Sequence, residues 1–216
     1  MTRETQGGLE AALKLAPVVP VMVIDNVEDA VPLARALVKG GLPVLEITLR
    51  TPKAMDCIRA IVAEVEGAIV GSGTVLTPAQ LQDSYKLGCK FAVSPGSTET
   101  LLKSAEDYDI ALLPGGVTAS ECMALLEWGY AIQKFFPAEP AGGTAYLSSL
   151  ASPLPQVRFC PTGGITPEKA PAYLKLSNVI TIGGSWMAPK RLIEAKDWAG
   201  IEKLAAEAAG LASLGS

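Results

Sequence analysis

The chain has 216 residues, 49% hydrophobic and 19% charged, with a formal net charge of −4. That length and apolar share allow one large buried core, while the slight negative charge supplies no basic field for nucleic acid or an acidic membrane surface. The chain contains no histidine, which removes histidine triads, histidine general bases and histidine-containing metal sites; acid–base chemistry falls to carboxylates, lysines, tyrosines, cysteines or water. The four cysteines (Cys57, Cys89, Cys122, Cys160) are widely separated, with no C-x-x-C pair, and read as small buried hydrophobes of a reducing compartment. The first eight residues are polar and lack a signal-peptide core. No apolar run reaches the ~18 residues of a membrane helix, so the chain reads as a soluble cytoplasmic protein without a membrane or nucleic-acid partner.

Taken in order, a short N-terminal helix over Gly7–Leu15 precedes a strand at Val18–Val23, a helix at Val27–Lys39 and a strand at Pro43–Leu49. A helix at Lys53–Val65, a strand at Ala68–Gly71, a helix at Pro78–Leu87, a strand at Lys90–Ser94 and a helix at Glu99–Asp107 continue the alternation. Strands at Ile110–Leu113, Tyr130–Phe136, Val157–Pro161 and Val179–Ile182 follow, with helices at Ala119–Glu127 and Pro167–Leu174 and a last one at Ile201–Leu214. Thr51-Pro52, Thr77-Pro78 and Thr166-Pro167 pair a capping hydroxyl with proline at the first helical position, and Lys39-Gly-Gly41 and Leu87-Gly88 stop helices. Eight evenly spaced strand–helix units without a linker predict one domain over 1–216, a parallel (β/α)₈ TIM barrel with a short N-terminal helix. An open doubly wound sheet is the alternative, but no G-x-G-x-x-G turn follows the first strand.

Active sites of such barrels form at the C-terminal ends of the strands. In the sixth strand, alternation puts Tyr130, Ile132, Lys134 and Phe136 on one side, with Pro137 ending it. An ammonium there is expensive to desolvate, which favours the free amine that condenses with carbonyls; a lysine that snorkels out or pairs with a carboxylate is the plainer reading. In the second strand Leu45, Ile47 and Leu49 face the helices, while Val44, Glu46, Thr48 and Arg50 face the barrel axis. Arg50, at the mouth, suits a substrate carboxylate or phosphate, and Glu46 is either a working carboxylate or half of an ion pair with Lys134 or Arg50. Glycine–hydroxyl turns end the third strand (Gly71-Ser-Gly-Thr74) and the fourth (Ser94-Pro-Gly-Ser-Thr98). Paired glycines close the seventh (Cys160-Pro-Thr-Gly-Gly-Ile-Thr166) and the eighth (Ile182-Gly-Gly-Ser-Trp186), where backbone N–H groups and Ser185 can cradle a phosphate. Together these features suggest a phosphorylated 2-oxo acid cleaved or formed through an imine.

The chain resembles the 2-keto-3-deoxy-6-phosphogluconate (KDPG) aldolase and 4-hydroxy-2-oxoglutarate (KHG) aldolase family. The resemblance rests on Pro17-Val-Val-Pro-Val, Leu45-Glu-Ile-Thr-Leu-Arg50, Val70-Gly-Ser-Gly-Thr-Val75, Phe91-Ala-Val-Ser-Pro-Gly96, Lys134-Phe-Phe-Pro-Ala-Glu139, Val157-Arg-Phe-Cys-Pro-Thr-Gly-Gly164 and Ile182-Gly-Gly-Ser-Trp186. It implies a class I aldolase of the Entner–Doudoroff route that forms pyruvate and glyceraldehyde 3-phosphate, needs no metal or other cofactor, and assembles as a homotrimer. By the same resemblance Lys134 forms the Schiff base and Glu46 is the general base acting through water. Arg50 and Thr74 bind the pyruvyl carboxylate, and Pro95 and Phe136 wall the pyruvate pocket. Thr162 contacts the sugar-acid hydroxyls, and Gly163, Gly164, Gly184 and Ser185 hold the phosphate. Thr162 favours the gluconate-derived substrate, since relatives that handle the galactonate epimer carry an aliphatic residue there. The other readings are a broader 2-oxo acid aldolase, a phosphosugar isomerase or epimerase using Glu46 without an imine, and a silent phospho-ligand barrel.

Overall fold

The computed structural model describes residues 3–214, and the side chains of residues 6–212. Helix α1 (Arg3–Leu13) leads into β1 (Val18–Met22), α2 (Val27–Lys39), β2 (Val44–Thr48), α3 (Ala54–Glu64), β3 (Ile69–Gly73), α4 (Pro78–Lys86) and β4 (Phe91–Val93). Then come α5 (Glu99–Ser104), β5 (Ala111–Leu113), α6 (Ala119–Glu127), β6 (Ile132–Phe135), α7 (Gly143–Ser149), β7 (Arg158–Pro161), α8 (Ala170–Leu174), β8 (Ile182–Gly184), α9 (Lys190–Glu194) and α10 (Trp198–Ala209). A 3₁₀ turn at Gly210–Leu214 follows.

All strand pairs are parallel. Six strands run in the order β5-β4-β3-β2-β1-β8, and β6 pairs with β7. Two seams close this into a barrel. At the β5–β6 seam the Lys134 N–H donates to the Pro114 carbonyl at 2.8 Å, and the Lys134 carbonyl accepts from Gly116 at 3.0 Å. At the β7–β8 seam the Phe159 N–H donates to Asn178 at 2.7 Å and Thr162 bridges to Gly183.

Strands buried on both faces read as near-continuous apolar runs, and two cores result. Val19, Val44, Phe91, Val93, Ala111, Leu113, Ile132 and Cys160 fill the barrel, and Leu9 and Leu13 of α1 pack into the same cluster. The second core, which includes Leu45, Ile47, Phe135 and Phe159, lies between strands and helices. Helix α10 closes on α2 so tightly that a Cβ at Gly40 would lie 2.4 Å from the Ala205 Cβ.

The structure corrects several expectations. Tyr130 does not share the inner face with Lys134; β6 begins only at Ile132, and Tyr130 belongs to the outer core. Thr51-Pro52 starts no helix, because the Thr51 hydroxyl donates to the Ile24 carbonyl at 2.8 Å and α3 begins at Ala54. Thr166-Pro167 opens a turn whose Thr166 carbonyl accepts from Lys169 and Ala170, with α8 starting at Ala170. The last helix ends at Ala209 and the N-terminal one at Leu13. Thr77-Pro78 does cap: the Thr77 hydroxyl accepts from Gln80 N at 3.2 Å.

All four cysteines are free and buried. Burial pushes their thiols up, Cys57 and Cys122 to about 11 and Cys89 and Cys160 to about 12. Since the thiolate is the reactive form, iodoacetamide at pH 8 is expected to label none of them within minutes in the folded protein and all of them after denaturation. Rapid labelling of any one in the folded protein would contradict this burial.

Candidate active site

β2 and β6 face each other across the barrel, and each contributes one charged side chain to the interior. Lys134 Nζ lies 3.1 Å from Glu46 Oε1, with the two side chains only 3% and 4% exposed. Neither charge would be tolerated alone at this depth, whereas the pair compensates each other. Lys134 Nζ also sits 5.5 Å from the centroid of the Phe136 ring. Beside it in register is Cys160, whose thiol stays neutral because burial raises it. The Lys134 backbone is bonded into the β5–β6 seam on both its N–H and its carbonyl, so the amine projects from a fixed stem.

Glycines make the room. A Cβ at Gly73 would lie 2.2 Å from Glu46 Oε1 and 2.7 Å from its Cγ, so the bare backbone of β3 leaves space for the carboxylate. A Cβ at Gly71 would lie 2.3 Å from the Phe91 ring, which fills the layer below. Thr74, directly after Gly73, has φ +57°, a left-handed conformation that is costly for a β-branched residue, about 1–3 kcal/mol. Its hydroxyl accepts from Arg50 Nε at 2.9 Å, which fixes the guanidinium at the mouth of β2. The Pro95 carbonyl packs against Gly115, where a Cβ would be 2.2 Å away, and Gly115 in turn bridges to Lys134.

A cleft of about 180 Å³ opens beside Phe136, lined by Arg50, Phe136, Thr162, Gly163, Gly164, Gly184 and Ser185, together with Val21, Val23, Ile165 and Gly183. Gly163 and Gly164 have φ +106° and +79°, so the turn after β7 presents backbone where L side chains would strain. The Thr162 hydroxyl is buried, with only a contact from the Cys160 thiol. A Cβ at Gly183 would strike Thr162 Oγ1 at 2.3 Å. A larger hollow of about 690 Å³ between the β1–α2 turn and α9 shares Val21, Val23 and Ser185 with the cleft, but neither Arg50 nor Phe136 lines it. Lys134 and Glu46 line neither hollow; Phe136, whose ring centroid lies 5.5 Å from Lys134 Nζ, connects the pair to the smaller cleft.

Among the described residues, no group of three or more His, Cys, Asp or Glu could hold a metal ion, and no helix is long and apolar enough to cross a membrane. What the arrangement can do is hold an amine and a carboxylate in one dry contact, an arginine above them, and a glycine-rich anion cradle to one side.

Residues 9–204 match the model of the KDPG and KHG aldolase family. The chain belongs to that family. It is 53% identical over 199 residues to the KHG/KDPG aldolase of Escherichia coli K12, covering 92% of this chain and 93% of that one. A KDPG aldolase of Legionella pneumophila, solved with pyruvate captured as a covalent carbinolamine, superposes with a TM-score of 0.90 at 43% identity, covering 93% of this chain and 97% of that one. The Zymomonas mobilis ZM4 enzyme, solved with 3-phosphoglycerate, gives 0.89 at 50% identity, covering 94% and 95%.

Some residues that shape this candidate site were not singled out in the sequence. Gly73 and Gly183 matter through side chains of neighbouring strands, Glu46 and Thr162, which only the register brings beside them. Val21 and Val23 line the cleft from β1 and its turn, and nothing in an apolar strand sequence marks them. Outside the cleft, Glu139 was visible as the end of Lys134-Phe-Phe-Pro-Ala-Glu139, without an indication of its partners.

Proposed function

We propose that this chain cleaves 2-keto-3-deoxy-6-phosphogluconate to pyruvate and D-glyceraldehyde 3-phosphate by class I chemistry, with the imine on Lys134. The buried 3.1 Å contact between Lys134 Nζ and Glu46 Oε1 carries the reading. Transfer of one proton across it leaves a free amine beside a carboxylic acid. The amine attacks C2 of the 2-oxo acid, the carbonyl oxygen takes a proton, and loss of water from the carbinolamine gives a protonated imine. Glu46, a carboxylate again, takes the C4 hydroxyl proton through water. The C3–C4 electron pair moves into the iminium, and the aldehyde leaves. Protonation of the enamine at C3 and hydrolysis of the imine release pyruvate and restore the amine. The iminium is the electron sink, so the chemistry runs without a metal.

Arg50, held by Thr74, takes the substrate carboxylate as a charge-assisted fork, and Phe136 and Pro95 wall the pyruvyl end. Thr162 meets the sugar-acid hydroxyls, and Gly163, Gly164, Gly184 and Ser185 hold the phosphate. The covalent pyruvate adduct of the Legionella relative and the 3-phosphoglycerate of the Zymomonas one support the imine and the phosphorylated ligand for this chain. Borohydride reduction in the presence of pyruvate, followed by peptide mapping, is expected to place the adduct on Lys134. No adduct on folded protein would remove class I chemistry and favour an isomerase or a binding barrel.

The E. coli relative's double name favours a second substrate, 4-hydroxy-2-oxoglutarate, which needs the same imine and presents a carboxylate where the phosphorylated chain would lie. Measured kcat/KM on both substrates ranks them. The homotrimer implied by the resemblance is tested by light scattering, as three times the 22.4 kDa chain mass. A cytoplasmic setting suits the four unpaired cysteines, and fractionation checks it.

Thr74→Ala removes the hydroxyl that holds Arg50. KM for pyruvate in the condensation direction is expected to rise about tenfold, as for loss of a hydrogen bond to a charged group. Stability should not fall, because alanine suffers less than a β-branched residue at positive φ. An unchanged KM would detach Thr74 from carboxylate binding.

A further inference from the structure

The Gly163–Gly164 turn has no side chains of its own to fix it, so its position is set by what it rests on. One support is the Phe136–Ala138 segment: a Cβ at Gly163 would lie 3.2 Å from Phe136 Cδ2, 3.2 Å from Pro137 Cα and 3.3 Å from the Ala138 nitrogen. The other is Glu139. Its N–H donates to the Gly163 carbonyl at 3.0 Å, and a Cβ at Gly164 would lie 2.9 Å from both its Cβ and its Cγ. The carboxylate continues past the turn: Oε1 accepts from the Tyr173 hydroxyl at 2.5 Å, and Oε2 pairs with Lys169. Lys169 and Tyr173 sit at the start of α8 and within it, and the Lys169 N–H bonds the Thr166 carbonyl at 3.1 Å. Glu139 therefore touches the segment from Gly163 to Tyr173 at its beginning and its end, and draws the two against the turn that follows β6. Lys169 lowers the Glu139 carboxyl below its ordinary range, and burial holds the Tyr173 phenol in its protonated, donating form, so the bonds are made at neutral pH.

We propose that Glu139 is a positioning residue that sets the Gly163–Gly164 turn and thereby the enzyme's preference for phosphorylated over unphosphorylated aldehydes. The proposal rests on the phosphate reading of that turn given above. A turn displaced by even a fraction of an ångström loses N–H donors aimed at the phosphate, whereas the Lys134–Glu46 pair, which shares no hydrogen bond with Glu139, keeps its geometry.

The test is condensation of pyruvate with D-glyceraldehyde 3-phosphate and, separately, with D-glyceraldehyde, in wild type, Glu139→Ala and Tyr173→Phe. The ratio of the two kcat/KM values is expected to fall about tenfold in Glu139→Ala and about threefold in Tyr173→Phe, the size of losing one or two hydrogen bonds. Borohydride trapping of the pyruvate imine should stay within about twofold of wild type on the same scale. Tyr173→Phe keeps the buried ring and guards against a folding defect in the other variant, and Glu139→Gln, which retains an oxygen for the Tyr173 hydroxyl, should recover part of the ratio. An unchanged ratio, or equal loss on both aldehydes, would overturn the proposal. A wild type that shows no preference for the phosphorylated aldehyde would instead remove the phosphate reading beneath it.

Discussion

Lys134→Met is expected to abolish cleavage, by about 10⁴-fold or more in kcat/KM, and to end borohydride trapping of pyruvate altogether. Methionine has nearly the length of lysine, so the loss is chemical and leaves no cavity. The same variant should be destabilised by about 3–5 kcal/mol, because Glu46 would be left as an unpaired carboxylate in a site where its side chain is 4% exposed. Adding Glu46→Leu should then restore most of the denaturation midpoint while activity stays absent, since a buried ion pair replaced by apolar groups of similar volume is close to neutral. The pair thus exists for its reactivity, and the double variant separates that from stability. Turnover near the wild-type rate in Lys134→Met would sink the imine mechanism; a double variant as unstable as the single one would show that the pair holds the barrel together.

The strands were readable because parallel strands buried on both faces leave short β-branched runs, and all eight lie at or beside the predicted positions. Their inward sets were readable where alternation holds from end to end, as in β2, where Val44 fills the barrel interior and Glu46 meets Lys134 there. Alternation failed at Tyr130, since the chain there is still leaving α6 and its N–H bonds back to Leu125 at 2.9 Å. Helices α7 and α9 were not expected, and their lengths of seven and five residues explain it: one or two turns carry too few positions for a 3.6-residue period to show. Thr51 illustrates a different limit. A hydroxyl before proline predicts a cap, but the Ile24 carbonyl, 27 positions away in sequence, takes that hydroxyl instead. The candidate site was visible as a set of strand ends, and the structure brings Lys134 to Glu46 and Arg50 to Thr74. That Arg50 and Thr74 bond each other was not visible, because it depends on Thr74 holding φ +57°.

The same dependence on neighbours makes one glycine decisive. Gly73 lies on β3 opposite Thr48, two positions along from Glu46, and its missing side chain is the space that the Glu46 carboxylate occupies. In Gly73→Ala the new Cβ would sit 2.2 Å from Oε1, 2.7 Å from Cγ and 2.8 Å from Cδ, closer than any real contact. The backbone of β3 is pinned on both sides, by β2 and by β4, so the carboxylate must turn away. Gly73→Ala is therefore expected to cut kcat by about 10²–10³-fold, the range for losing a general base, and to match Glu46→Gln in doing so. Lys134 remains in place in both, so pyruvate should still be trapped by borohydride in each, more slowly than in wild type. A variant with normal kcat would mean that Glu46 can work from another rotamer; one that loses trapping entirely would mean that water cannot take over from the carboxylate in freeing the amine, so that Glu46 is indispensable to imine formation as well as to the breaking of the C3–C4 bond.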